Sequence, residues 1–166
     1  MKQWQKKNNK VYLLLGSNMG NSRQQIAKAI KLIEKNIGIA KRYSSIYQTA
    51  AWGNTHQPDF FNQVIVIETN KQAEETMQLI LTIEEKMGRV RTTKNAPRII
   101  DIDILFFNKE IINHSTIIIP HPQIQNRRFV LIPLHELSPT FKHPIIKKTI
   151  HQLLRVCPDK LAVKKN

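Results

Sequence analysis

The segment KNAPRIIDIDIL, residues 94–105, sets Asp101 and Asp103 two positions apart inside an apolar alternation, and no other stretch constrains the fold as tightly. In an extended strand residues i and i+2 project from one face, roughly 6.6 Å apart, so the two carboxylates converge on one spot. Ile100, Ile102, Ile104 and Phe106 then take the opposite face. The alternation predicts a strand with one side packed on a core and the other lining a site. Two acids on a half-buried strand are costly unless neutralised, and a divalent cation or two would neutralise both. The competing reading is an exposed strand with two solvated acids.

The neighbouring residues favour the metal. Arg89, Arg91, Lys94 and Arg98 lie just upstream, in a stretch opened by Gly88 and broken by Pro97, which reads as a mobile basic loop feeding the acidic strand. Carboxylates that hold Mg²⁺ beside cations that hold phosphate are the working parts of phosphoryl transfer.

The chain's 166 residues, 41% of them hydrophobic, suffice for one domain with a real core and are too few for two ordinary ones. We expect an N-terminal extension at 1–10 that is flexible and a single catalytic domain at 11–166. Lysine and arginine total 26 against 12 acids, a formal charge of +14, which calls for an anionic ligand, a nucleic acid, a membrane surface or compositional bias. Bias accounts for part, since basic residues crowd both ends as solvated tails; the remainder concentrates at 86–98. A single cysteine, Cys157, permits no internal disulfide and fits a cytoplasmic protein. The early apolar run at 11–15 is too short to span a bilayer and leads into no cleavage pattern, so neither a membrane nor a targeting role is expected.

A coarse reading gives a strand at 11–15, a GSNMGNS turn with helix-capping candidates, and a helix to about Asn36 that buries Ile26, Ile30, Ile33 and Ile37, ended by Gly38. Strands follow at 40–49 and 61–69, then a helix at 73–87 carrying Met77, Ile80, Ile83 and Met87 inward, then the acidic strand at 99–107. The βαββαβ order is that of an α+β, ferredoxin-like core: an antiparallel sheet with helices packed on one face, plus a C-terminal extension. The extension reads as a short strand at 117–119, a Pro-flanked loop at 120–128 and helical pieces near 129–137 and 150–156. The GSNMGN turn lacks the Gly-Lys-Ser/Thr of a phosphate loop and reads as a tight turn and helix cap near the active centre.

Four separated motifs, in order, resemble the 6-hydroxymethyl-7,8-dihydropterin pyrophosphokinase family of folate biosynthesis. They are the GSN turn, YQTAAWG…QPDFFN at 47–62, GRVR with KNAPRIIDIDIL, and PHPQIQNRRFVLIPLHELSP at 120–139. The resemblance implies transfer of pyrophosphate from ATP, the co-substrate, to the pterin hydroxymethyl group, with AMP released. It also implies two Mg²⁺ ions on Asp101 and Asp103, with no general base required, and leaves open whether Asp103 takes the proton directly or through water. Arg89, Arg91 and Arg98 resemble catalytic phosphate-binding cations. Arg91, Lys94, Arg98, His121 and Arg127 resemble triphosphate contacts, Glu84 a contact to the nucleotide sugar, and Ile104 a further nucleotide contact.

For the flat pterin the resemblance implies Phe60 and Phe129 as stacking faces, with Asn62 and the backbone around Thr49, Ala50 and Trp52 reading the edge. Lys94-Asn95 stands where many relatives carry Arg-Trp, and a lysine lacks arginine's bidentate fork. Pro122 follows the loop histidine where some relatives carry Tyr. The expected partners are ATP and the pterin only, bound by a monomer. An RNA-binding sheet is the rival reading, but the aromatic-rich RNP1 pattern is missing and a bare acid pair would repel phosphate.

Overall fold

The run at 11–15 is apolar on both sides of its strand, and a strand of that kind has to be covered on both faces. In the computed structural model, which describes residues 7–51, 56–91 and 96–166, it sits in the interior of an antiparallel sheet. The elements run β1 (Asn9–Ser17), α1 (Ser22–Asn36), β2 (Ile39–Tyr43), β3 (Tyr47–Thr49), β4 (Phe60–Thr69), α2 (Ala73–Lys86) and β5 (Asp101–Phe107). A small hairpin of β6 (Ile112–Asn113) and β7 (Ile118–Ile119) follows, then α3 (Arg128–Leu137), α4 (Ile150–Arg155) and β8 (Val163–Lys165). The main sheet has the order β5-β1-β4-β3-β8, with β2 also paired to β4. No helix among the described residues is long and apolar enough to cross a membrane.

Side chains divide between two cores. Val11, Leu13 and Leu15 of β1 join Ile26 and Ile33 of α1 and Ile80 and Ile83 of α2. Tyr12, Leu14, Val64 and Val66 face the other way, against Leu131 and Leu134 of α3 and Leu153 of α4. The expectation of helices on one face is therefore corrected: α3 and α4, from the C-terminal extension, cover the second. Each fully buried Leu or Ile contributes roughly 1.5–3 kcal/mol, so truncating Leu13 to Ala should cost about 2–5 kcal/mol once the cavity is counted.

Three boundaries differ from the sequence reading, each for a local reason. The strand expected at 40–49 is split, because Ser44 turns inward: its Oγ accepts the Val64 N–H at 2.9 Å while its own N–H donates to the Val64 carbonyl. Asn9 and Lys10, assigned to the extension, pair with Thr69 and Glu68 as the first rungs of β1. Phe106 does not share a face with Ile100, Ile102 and Ile104. The β1–β5 register slips between Tyr12 and Leu13, which pair with Phe106 and Ile104, so Leu105 is one residue in excess. Such a bulge resets the alternation, putting Phe106 with Tyr12 and leaving Phe107 in the α1/α2 core. Gly38 is needed for close approach, since a Cβ there would stand 2.3 Å from the Glu68 carbonyl oxygen.

Candidate active site

β1 ends where β4 and β5 begin, so these three strands bring their site residues to one end of the sheet. Gly16 lies between Asn62 of β4 and Asp101 of β5, and Leu14 lies between Val64 and Asp103. Residues directly opposite across a ladder share a face. Asp101, Asp103 and Asn62 therefore share the face that α3 and α4 cover further along. Beyond that cover the face opens into a cleft of about 700 Å³, counting its open mouth. Thr49 and Ala50 line it from the end of β3, Phe60 and Asn62 from β4, and Arg127 and Phe129 from the start of α3; Arg98, Asp101 and Asp103 close the far end.

The acid pair is held by guanidinium groups. Arg89 Nη1 reaches Asp101 Oδ1 at 2.7 Å and Arg98 Nη1 reaches Asp101 Oδ2 at 3.0 Å. Arg89 also pairs with Glu84, which is only 3% exposed near the end of α2, so one side chain ties that helix to β5. Asp103 has a different setting. Burial, then repulsion from Asp101, pushes its carboxyl up to about 7 against the opposing pull of Arg127, Arg89 and Arg98. His121 is driven down to about 4, by burial first and by Arg127 second. Its Nδ1 accepts the Gln123 N–H at 3.1 Å, so the neutral ring carries its proton on Nε2 and acts as a donor without charge.

At the other end the walls are aromatic. The Arg98 guanidinium lies 5.6 Å from the Phe60 ring centroid and that of Arg127 lies 5.8 Å from Phe129, so each ring adjoins a cation of the acidic end. Asn62 is 4% exposed, a buried amide in the cleft lining beside Leu14 and Gly16. The walls are tied together from behind, where the Glu136 carboxylate of α3 accepts the Tyr47 hydroxyl at 2.6 Å and the Ser45 hydroxyl at 2.8 Å.

The cleft thus gathers Thr49, Ala50, Phe60, Asn62, Arg98, Asp101, Asp103, Arg127 and Phe129, drawn from separate elements. Glu84 and Arg89 stand behind the acid pair, and Arg91, whose side chain is 64% exposed, lies 3.8 Å from Glu84 at the surface. The Ile104 side chain is buried in the α1/α2 core, so a contact from this residue to a nucleotide would come from its main chain. Trp52 and Lys94 lie outside the described residues.

Sequence reasoning missed two parts of this frame. A Cβ on Gly16 would come within 2.7 Å of Asn62 Oδ1, so glycine is what lets that amide lie across β1. Asn18, 3% exposed, donates through Nδ2 to Gln57 Oε1 at 3.0 Å and to the Pro58 carbonyl at 3.2 Å, and accepts the Arg98 N–H at 2.9 Å. It joins the segments on both sides of the cleft mouth. The available signal is an Asn two residues beyond a strand's glycine, a pattern that fits turn chemistry equally well; Asn21, three residues on, does cap α1.

Hard oxygen donors beside guanidiniums, opening onto a small aromatic pocket, are the donor set of a protein that handles phosphate and a flat heterocycle. The family described as 7,8-dihydro-6-hydroxymethylpterin-pyrophosphokinase matches residues 12–139, and the chain belongs to that family. It is 38% identical over 142 residues to the 2-amino-4-hydroxy-6-hydroxymethyldihydropteridine pyrophosphokinase of Aquifex aeolicus, covering 86% of this chain and 88% of that one. It is also 38% identical over 152 residues to a folic acid synthesis protein of Dictyostelium discoideum, but spans only 23% of that longer protein. The crystal structure of wild-type Plasmodium falciparum HPPK-DHPS superposes on 90% of this chain with a TM-score of 0.71 at 20% identity, which speaks to fold alone; this chain covers 41% of that one. By family, this chain is a pyrophosphokinase of folate biosynthesis.

Proposed function

We propose that the cleft transfers pyrophosphate from ATP to the hydroxymethyl oxygen of 6-hydroxymethyl-7,8-dihydropterin, with the nucleotide at the acidic end and the pterin between the aromatic walls. The observation that carries this reading is a single cleft lined by Asp101 and Asp103, by Arg98 and Arg127, and by the rings of Phe60 and Phe129.

Two carboxylates on one face, one of them with its pKa raised by burial first and by the other second, fit a divalent cation. Among the described residues no group of three or more His, Cys, Asp or Glu assembles as a metal cage. Two protein oxygens with positions left over for phosphate oxygens and water is the arrangement Mg²⁺ accepts. Asp101 and Asp103 would hold two such ions, whose chemistry is to neutralise the phosphates and make the β-phosphorus electrophilic.

The chain's own groups do the rest. The pterin hydroxyl attacks the β-phosphorus, the bond to the α-phosphate oxygen breaks, AMP leaves, and the hydroxyl proton passes to Asp103 or a water beside it. Arg98, freed from Asp101 once that carboxylate takes a metal, turns to the phosphates with Arg91, Lys94 and Arg127. His121 adds an uncharged Nε2 donor. Arg89 keeps Asp101 oriented from behind, Glu84 is assigned to the sugar and the Ile104 main chain to the nucleotide. Phe60 and Phe129 stack the pterin, while Asn62 and the backbone near Thr49, Ala50 and Trp52 read its edge. The frame is taken as a ferredoxin-like core with a C-terminal extension, one catalytic domain over 11–166 working as a cytoplasmic monomer with ATP and the pterin as its only partners.

Isothermal titration with a non-hydrolysable ATP analogue, with and without Mg²⁺, and with the pterin added last, tests the assignment. Mg²⁺-dependent nucleotide binding followed by pterin binding is expected. Metal-independent binding, or preference for a random RNA, would remove it.

A further inference from the structure

The start of α3 carries an electrostatic conflict that the helix does not solve itself. Its cap position is Arg127, the next two residues are Arg128 and Phe129, its first turn holds no acid and its cap residue offers no side-chain acceptor. Helix N-termini expose unpaired N–H groups and a partial positive charge, and two guanidiniums here add to it.

The missing acceptor arrives from 31 residues along the chain. Asp159 Oδ2 accepts the Arg128 N–H at 3.0 Å, while Oδ1 accepts the Leu161 N–H at 3.0 Å, which fixes the carboxylate's orientation. Past Asp159 the chain becomes β8 and pairs with β3, Val163 opposite Thr49 and Lys165 opposite Tyr47. The Asn166 N–H closes the ladder on the Ile46 carbonyl at 2.9 Å. One short segment thus grips both walls of the cleft: the helix that presents Phe129 and the strand that presents Thr49. It lies beyond residue 139, where the family match stops.

We infer that residues 157–166 form a strap that positions the pterin end of the cleft, with Asp159 as the positioning residue. The inference rests on the pterin assignment made above. Asp159 touches no substrate in this reading; it lets two cations stand at a helix N-terminus while holding the Phe129 ring at a fixed separation from β3. Its loss should therefore loosen pterin binding more than nucleotide binding, because the nucleotide keeps the acid pair on β5 even though Arg127 sits at the same helix start.

The test compares Asp159→Ala, Asp159→Asn and a chain lacking residues 163–166 with wild type. The readouts are the KM for pterin and for ATP, kcat, and NMR hydrogen exchange at the Arg128 amide. Asp159→Ala should raise the pterin KM about fivefold, the scale of the roughly 1 kcal/mol that a lost cap costs, and speed Arg128 exchange, while the ATP KM rises clearly less. Asn keeps one acceptor oxygen but loses the second and the charge, so Asp159→Asn should fall between Asp159→Ala and wild type in both readouts. Removing β8 should raise the pterin KM while Arg128 stays protected. An unchanged pterin KM in folded Asp159→Ala, or equal loss for both substrates, overturns the positioning role. Wild type that binds no pterin at all overturns the pocket assignment and the strap with it, so the two failures are told apart.

Discussion

The two ends of the cleft are built by different physics. The acidic end is a chain of ion pairs, Glu84 to Arg89 to Asp101 to Arg98, in which every charge already has a partner that a metal or phosphate could replace. The aromatic end is fixed by main-chain pairing and packing: β3 against β4, Asn62 across Gly16, and α3 tied back through Glu136. Exchangeable partners suit a site where charge moves during reaction, whereas a rigid slot suits recognition of a flat ring.

The sharpest way to break this comparison is at the acid pair. Asp101→Asn or Asp103→Asn removes a metal ligand and keeps the volume, so pyrophosphoryl transfer should be abolished with the fold intact by circular dichroism. Near-normal turnover in either variant would sink the two-carboxylate assignment.

Arg98→Ala should come next. It deletes a cation that is expected to change partners as charge shifts, lowering kcat by about 2–3 kcal/mol of transition-state stabilisation and nucleotide affinity by less. Equal losses in kcat and binding would mean that Arg98 merely docks ATP.

At the aromatic end Phe129→Ala and Asn62→Ala should each weaken pterin binding by about 1–3 kcal/mol, and Gly16→Ala should mimic Asn62→Ala because the added methyl displaces that amide. ATP-analogue affinity without pterin should hold. If it falls in parallel, these residues support the core and the division between the ends disappears.

The smallest effect is in pH. Asp103 keeps a proton up to about 7 in the folded chain, against an ordinary carboxyl value of 3.8. Between those values the folded state binds more protons than the unfolded one, so the stabilising contribution of the protonated form is complete below the ordinary value. It is lost as pH rises through about 7. Without metal, Tm should fall over that window, and Mg²⁺ affinity should rise as the competing proton departs. A flat profile that Asp103→Asn leaves unaltered would discount the burial-driven shift.

How much of this was legible in the sequence depends on range. Asp101 and Asp103 announce themselves through a period of two, and α1 and α2 through their apolar spacing, because those signals lie within a few residues. Phe106 was placed on the wrong face because a bulge inside β5 has no sequence marker of its own. Asn18, Gly16 and Asp159 were missed because their partners lie 39 to 80 residues away for Asn18, 46 for Gly16 and 31 for Asp159, distances at which only the folded sheet brings groups together. Ile104 entered by analogy with the family, and a β-strand's alternation sends its side chain to the core.

The unequal exposure of the two arginines on Glu84 has a consequence for ionic strength. Arg89 is 12% exposed and Arg91 is 64% exposed. Dissolved ions screen exposed charges over roughly 8 Å at 0.15 M and reach enclosed ones poorly. Added salt should therefore slow capture of the triphosphate, which depends on outward-facing cations, while the enclosed Glu84–Arg89–Asp101 linkage keeps its geometry. Titrated with KCl, the enzyme should lose its rate of association with nucleotide long before it loses the shape of its catalytic end.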